Sequence, residues 1–574
     1  MLKYLKKYWF FCLLAPLFML GEVGMDLLQP DMMADIVDHG VLGGNLELII
    51  RVGVKMTLTV IAGGLCGVLC GIFANVAAQG FANDLRKDVF SKIMHLSFQQ
   101  TDKISTGSLV TRLTNDVTQV QQMVMMSVRG LVRNSVMFLG GIFMLYRQSP
   151  RFALVAACAL PFIAAAVFFF LKKTTPLFAV VQQKLDGINH IMQETVAGAR
   201  VVKAYVKEEY ELGRFDEAND TLCEENLRVQ TLLAFMSPCM NIVLNLCVVA
   251  VILVGGYTVK TGGSITPGNT MAAITYLAQI LHGVTFMANI FQTFSRAKAS
   301  ADRISEVLNS PEVLPGGSFA GETKQKGCVE FQDVSFSYPG SDGQNVLEHI
   351  SFRIEAGQTL AIIGATGSGK SSLVQLIPRF YDASEGQIIV DGINVKDYDP
   401  AALREKVAIV MQKAEMYSRS IEENIRWSNR DADPWQIKKA AQTAQADDFI
   451  CGTPDGYYTA VTEGGHSLSG GQKQRLSIAR AVLKDCEILI FDDATSALDL
   501  KTEASLHQAL REECPGVTKI IIAQRIASIR NADQIMVLDN GRISDMGTHE
   551  ELMRCSEIYQ DIYHSQLKEG SEDK

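Results

Sequence analysis

The sequence predicts a multi-domain chain: an all-α membrane domain of about six transmembrane helices, followed by an α/β domain. Three observations predict it. The chain has 574 residues, more than one hydrophobic core usually organises. Its hydrophobic content is 48%, yet the mean hydropathy is only +0.13, so the apolar excess has to be concentrated. Reading along the chain shows where: nearly all long apolar runs precede residue 300, and beyond it strand-like and helix-like runs alternate with Gly- and charge-bearing loops. The expected layout is a membrane domain over 1–308, a Pro- and Gly-rich linker over 309–327 and the α/β domain over 328–574.

The expected spans are 9–30, 52–78, 129–147, 152–171, 235–258 and 270–294, each near the ~20 residues that cross hydrocarbon. Lys3, Lys6 and Lys7 precede the first, as they would a signal peptide. Glu22, Asp26 and the lack of a small-residue cleavage pattern favour a retained helix, and no protease-like domain is expected before it. Two long polar stretches separate spans two and three, and spans four and five. They carry Arg86, Lys87, Lys92, Lys103 and Arg112, and Lys172, Lys173, Lys184, Arg200, Lys203, Lys207 and Arg214. The loop after the first span instead holds Asp31, Asp35, Asp38 and Glu47. Positive charge marks the cytoplasmic side, which places both long stretches and both chain ends there, in a multi-pass protein of the cytoplasmic membrane. Each stretch reads as two helical extensions joined by a turn, one near Thr101–Ser108, the other near Glu208–Phe215. Pro16 is expected to kink the first helix.

Glu22 and Asp26 share one helix face. Two readings are open: an acidic contact for cationic cargo, or groups at the outer interface in water. The net charge of −9 gives no support for nucleic acid as a partner. The twelve Cys include no CxxC pair, and Cys66, Cys70 and Cys247 sit in apolar runs as small hydrophobes, so neither zinc nor a disulfide is expected.

The motifs that carry chemistry lie in the second half. Gly364–Ser371 spells G-x-x-x-x-G-K-S, after the apolar run Leu360–Ile363 and before the helix-like SSLVQLI. Strand, loop and helix in that order make a phosphate cradle, in which backbone N–H groups wrap phosphate oxygens and the helix start adds partial positive charge. Lys370 is expected to reach the β- and γ-phosphates and Ser371 to ligate Mg2+. EILIFDD ends an apolar run in two acids, with Asp492 placed to hold the same metal. LSGGQKQR opens a helix, where Ser469, Gly470 and Gly471 give a small-residue start suited to a phosphate.

Together these segments resemble the ATP-binding cassette (ABC) transporters, specifically half-size, multidrug-type (type IV) exporters, along nearly the whole chain. The α/β domain is then expected to be a P-loop NTPase. Gly364–Ser371, with Thr366, Gly367, Ser368, Gly369 and the following Ser372, matches the Walker A loop. Ile488–Asp492 matches Walker B, and Leu468–Gln472 the family signature, including Gly470, Gly471 and Gln472. Gln412 matches the Q-loop glutamine that touches Mg2+, Tyr338 the aromatic that stacks on adenine, and Ser496–Asp499 the D-loop. The two cytoplasmic turns look like coupling helices. The resemblance implies ATP and Mg2+ as cofactors, the lipid bilayer as surroundings, and two cassettes packed head to tail around ATP.

Two departures from the family pattern stand out. The residue after Asp492 is Asp493, where the family places a general-base Glu; a carboxylate drawn back by roughly an ångström can cost ~10²-fold in rate. The switch histidine is replaced by Gln524, which hydrogen-bonds but does not exchange a proton near neutral pH. The expectation is a heterodimer. This chain's Walker half forms a slow site, and its intact signature completes a competent site on a second half-transporter that keeps Glu and His. A homodimer with two weakened sites is the alternative. The expected function is ATP-driven export of lipophilic or cationic small molecules by alternating access. Lipid or peptide export, or a nucleotide-gated regulatory role without pumping, are the alternatives.

Overall fold

In the computed structural model, residues 1–261, 265–310, 314, 316–323, 325–338, 341 and 343–572 are described. Parts of the expected linker (Pro311–Val313, Pro315, Lys324) lie outside them, as do Pro339 and Gly340 beside Tyr338. The chain forms two units: Met1–His95 with Thr106–Ser310, and Leu96–Ser105 with Pro311–Lys574.

Among the described residues, the regular elements of the first unit are all helices. Its long helices are α1 (Trp9–Asp35), α2 (Leu46–Met94), α3 (Thr106–Gln148), α4 (Pro150–Ala197), α5 (Glu208–Lys260) and α6 (Pro267–Leu308). Among the described residues, five of them, α1 to α5, are long and apolar enough to cross a membrane; the sixth expected span falls on α6, several of whose side chains lie outside the described set. The outward faces carry Leu13, Leu58, Leu65, Phe162 and Phe168, all exposed. Such a surface is unfavourable in water and suits acyl chains. At 49 residues α2 spans about 70 Å, far beyond the ~30 Å of hydrocarbon. The expected span 52–78 is therefore the apolar portion of a much longer rod. α1 runs unbroken through both Pro16 and Pro30.

One expectation is corrected here. Glu208–Phe215 is not a turn. The chain reverses through Tyr205–Lys207, with Val206 at φ +51°, and Glu208–Phe215 forms the start of α5. Glu208, Glu209 and Glu211 crowd the first turn of that helix, where its dipole favours acids, so the acidic run starts a helix. Glu22 and Asp26 are both half-buried and share one basic partner. Arg133 of α3 donates to both, to Glu22 Oε1 through Nη1 and to Asp26 Oδ2 through Nη2 at 3.0 Å. Inside a bundle an ionisable group needs such a partner. No sequence pattern announces Arg133, which lies 107 residues from Asp26.

The second unit contains two sheets. Its strands are β1 (Val329–Phe336), β2 (Leu347–Ile354), β3 (Thr359–Ile363), β4 (Glu385–Val390), β5 (Ile393–Asn394), β6 (Val407–Val410), β7 (Ile488–Asp492), β8 (Thr518–Ile522), β9 (Gln534–Asp539) and β10 (Arg542–Gly547). The smaller sheet is antiparallel, in the order β2-β1-β4-β5. The larger runs β10-β9-β3-β8-β7-β6, all parallel except β10. Its central strands are buried on both faces, which explains their unbroken apolar runs. Alternate residues feed two cores: Ala361, Ile363, Leu489 and Phe491 on one side, Leu360, Ile362, Ile488 and Ile490 on the other. The fold class is as the sequence predicts, a helical domain followed by an α/β domain.

Leu96–Ser105 packs within this second unit. Ser97 caps a short helix, Phe98–Lys103, through a reciprocal pair with Gln100. Phe98 stacks on Phe380 with centroids 4.2 Å apart, and Tyr381 Oη donates to Asp102. The helix resumes at Thr106, inside the expected turn Thr101–Ser108.

Candidate active site

Strands β3, β8, β7 and β6 are parallel neighbours, so their carboxyl ends share one edge of the sheet. In open α/β sheets that edge is where ligands bind. The glycine-rich loop Gly364–Ser371 follows β3, Gln524 follows β8, Asp492 and Asp493 end and follow β7, and Gln412 follows β6. Segments scattered between Gly364 and Gln524 are thereby gathered.

The loop's geometry requires its glycines. A Cβ on Gly364 would stand 2.0 Å from Leu538 O. Gly369 has φ +97°, and a Cβ there would meet Leu347 Cδ2 at 2.8 Å and Val346 O at 2.9 Å. Only glycine leaves the backbone free to approach both. Helix α7 (Lys370–Gln375) follows directly. Lys370 Nζ curls back and donates to Gly364 O (2.8 Å) and Ala365 O (2.7 Å). Burial pushes its pKa below the usual lysine value, against the opposing charges of Asp493 and Asp492.

The loop, Gln412, Asp493 and Gln524 line one cavity of about 620 Å³, together with Lys370, Ser371 and Ser372. Asp492 is buried deeper and accepts from Ser371 Oγ at 2.6 Å. Burial raises the Asp492 pKa, and the Ser371 hydroxyl works the other way. Asp493 has φ +50°, a left-handed backbone that Asp tolerates better than most residues. Its Oδ2 accepts from Gln524 Nε2 at 2.8 Å and from Gln412 Nε2 at 3.3 Å. Burial raises its pKa as well, offset by those two amides. The two departures noted in the sequence, Asp493 and Gln524, thus bond directly to each other.

Not every expected residue faces this cavity. The Tyr338 hydroxyl shares a hydrogen bond with Ser372 Oγ at 2.9 Å, and its ring stands edge-on to Tyr381 at 5.3 Å. Ser469–Gln472 form no part of the lining either, because the signature opens helix α8 (Gly470–Val482) elsewhere on the unit. Ser469 caps α8: its Oγ accepts from Gln472 N at 3.3 Å, and its own N–H donates to Gln472 Oε1 at 2.9 Å. Ser469 and Gly470 are exposed. The D-loop is tied locally, with Ser496 Oγ donating to Asp493 O at 3.0 Å and Asp499 capping the next helix through Thr502 N.

Sequence reading misses the wall residues Val346, Ile558 and Ile562, and the bond from Gln566 Nε2 to Gln524 O at 2.7 Å. None belongs to a motif, and only folding brings them near the loop.

A G-x-x-x-x-G-K-S loop between strand and helix, a buried acid at the end of a neighbouring parallel strand and a unit of long apolar helices on one chain point to a membrane transport ATPase. The comparisons agree. Residues 12–284 match the ABC transporter transmembrane region and residues 347–496 the ABC transporter family. The chain is 38% identical over 574 residues to the uncharacterized ABC transporter ATP-binding protein YfiB of Bacillus subtilis (strain 168), covering 100% of this chain and 99% of that protein. It is 32% identical over 534 residues to the ATP-dependent lipid A-core flippase of Syntrophus aciditrophicus (strain SB), covering 93% and 88%. A solved bacterial Atm1-family ABC exporter with ATP bound superposes with a TM-score of 0.83 at 25% identity, covering 96% of this chain and 98% of that one. The chain belongs to the ABC transporters. It is a multi-pass membrane exporter whose ATPase domain couples ATP hydrolysis to transport.

Proposed function

We propose that this chain is one half of a heterodimeric exporter and that its own Walker site binds ATP but turns it over slowly. The observation that carries this reading is the Asp493 carboxylate, one methylene short and bonded by the amides of Gln524 and Gln412. A general base has to reach the attacking water. Here the shorter side chain is held by two neutral donors, and neither glutamine can take up the proton.

The other roles follow from chemistry. Lys370 binds the β- and γ-phosphates, and the glycines let backbone N–H groups approach them. Ser371 and Asp492 offer hard oxygen donors 2.6 Å apart, a set that suits Mg2+. Bound there, Mg2+ would neutralise phosphate charge. Gln412 senses the γ-phosphate, and Tyr338 stacks on adenine. Ser469, Gly470, Gly471 and Gln472 are exposed or half-buried, and there they complete the ATP site of a second subunit. ATP closes the two cassettes, the spans open outward, and hydrolysis at the competent site resets them. The cargo is a lipophilic or cationic small molecule. Lipid is the second reading, favoured by similarity to a protein named a lipid A-core flippase.

The test is the ATPase rate of the purified two-subunit complex. Asp493→Ala is expected to lower it less than about twofold, and removal of the partner's glutamate by ~10²-fold or more. Equal losses would overturn the asymmetry.

A further inference from the structure

We infer that Gln566 is a positioning residue for the nucleotide site, holding the turn after β8 so that the Gln524 amide meets Asp493. It lies on the helix α9 (Glu557–Glu572), 42 residues beyond Gln524. Its single amide group makes two bonds to that turn. Nε2 donates to Gln524 O at 2.7 Å, and Oε1 accepts from Ile526 N at 2.9 Å. A primary amide carries donor and acceptor on one plane, so it brackets Arg525 much as a neighbouring backbone strand would.

This bracket ties the turn from one side, and Arg525 Nη1, donating to Leu498 O at 3.2 Å, ties it from another. Arg525 is the N-cap of the short helix Ile526–Ile529 and makes no side-chain cap bond, so Gln566 supplies what a cap would. On the other side of the same residue, Gln524 Nε2 reaches Asp493 Oδ2 at 2.8 Å. Gln566, Gln524 and Asp493 therefore form one chain of hydrogen bonds ending in the cavity. α9 is itself fixed at its base: Tyr559 is fully buried and its hydroxyl bonds His549 Nδ1 at 2.8 Å. The same helix supplies Ile558 and Ile562 to the cavity wall. This last helix is thus built into the nucleotide site, and Gln566 acts there through Gln524.

This inference rests on the proposed slow ATP site, and the test separates the two. The full-length complex is loaded with radioactive 8-azido-ATP in the dark, diluted into excess unlabelled ATP and irradiated after increasing delays, so that label on this polypeptide reports the nucleotide still bound. Gln566→Met keeps the length and removes both bonds. It is expected to leave initial labelling within about twofold and to shorten retention about fivefold, the factor one neutral hydrogen bond is worth. Gln566→Glu keeps the bond from Ile526 N, loses the donor to Gln524 O, and is expected to shorten retention likewise. In a Gln524→Ala background, Gln566→Met is expected to add nothing, because the amide it positions is gone. Unchanged retention, or the same shortening in both backgrounds, would overturn the positioning role. Lys370→Ala is expected to abolish labelling of this chain; persistent labelling would instead overturn the site reading beneath it.

Discussion

At the scale of single residues, the site holds groups that are costly to bury. Asp492 and Asp493 are almost wholly buried, and burial raises the pKa of each above its unfolded-chain value. For such an acid the fold disfavours the ionised form. The penalty is absent below the unfolded pKa, grows as pH rises from there to the folded pKa, and is constant above it. We predict that Asp493→Asn, which keeps an acceptor for Gln524 and tolerates φ +50°, raises the nucleotide-free melting temperature at neutral pH. The gain should vanish as pH falls through the carboxylate range. Thermal melts of both proteins between about pH 4 and 8 check it. A lower melting temperature at neutral pH, or a gain independent of pH, would count against this account of Asp493.

At the scale of elements, the segment Leu96–Ser105 belongs with the ATPase unit although it joins two membrane helices in sequence. Its hold is small and specific: the Phe98–Phe380 stack and the bond from Tyr381 to Asp102. Tyr381 in turn stands edge-on to Tyr338, which bonds Ser372 on α7. An aromatic pair of this kind contributes about 0.5–1.5 kcal/mol beyond its buried area. Phe98→Ala is therefore expected to leave ATP affinity within about twofold while lowering cargo-stimulated ATPase about tenfold, roughly the factor that 1.4 kcal/mol supplies. Titrating ATP and cargo separately measures both effects. An equal fall in basal and stimulated rates would show that the contact only supports folding.

At the scale of the molecule, an exporter has to move cargo uphill. In inverted membrane vesicles holding both subunits, a lipophilic cation is expected to accumulate when ATP is added, and Lys370→Ala should reduce that uptake. Nucleotide binding without accumulation would favour the regulatory alternative. Accumulation of labelled lipid alone would favour the lipid reading.

Much of this is legible in the sequence because the physics is local. A run of some twenty apolar residues has few homes other than a bilayer, and the loop Gly364–Ser371 carries its own chemistry in its spacing. Asp493 and Gln524 are visible as departures from a family pattern. What sequence does not supply is proximity between distant segments. That Gln524 bonds Asp493, that Arg133 bridges Glu22 and Asp26, and that Gln566 bonds Gln524 follow from parallel strands sharing an edge and helices packing side by side. The reversal at Tyr205–Lys207 is misplaced by sequence because acids that read as a loop also favour a helix start. Local propensity names the elements; only the tertiary fold decides which side chains they bring within reach of one another.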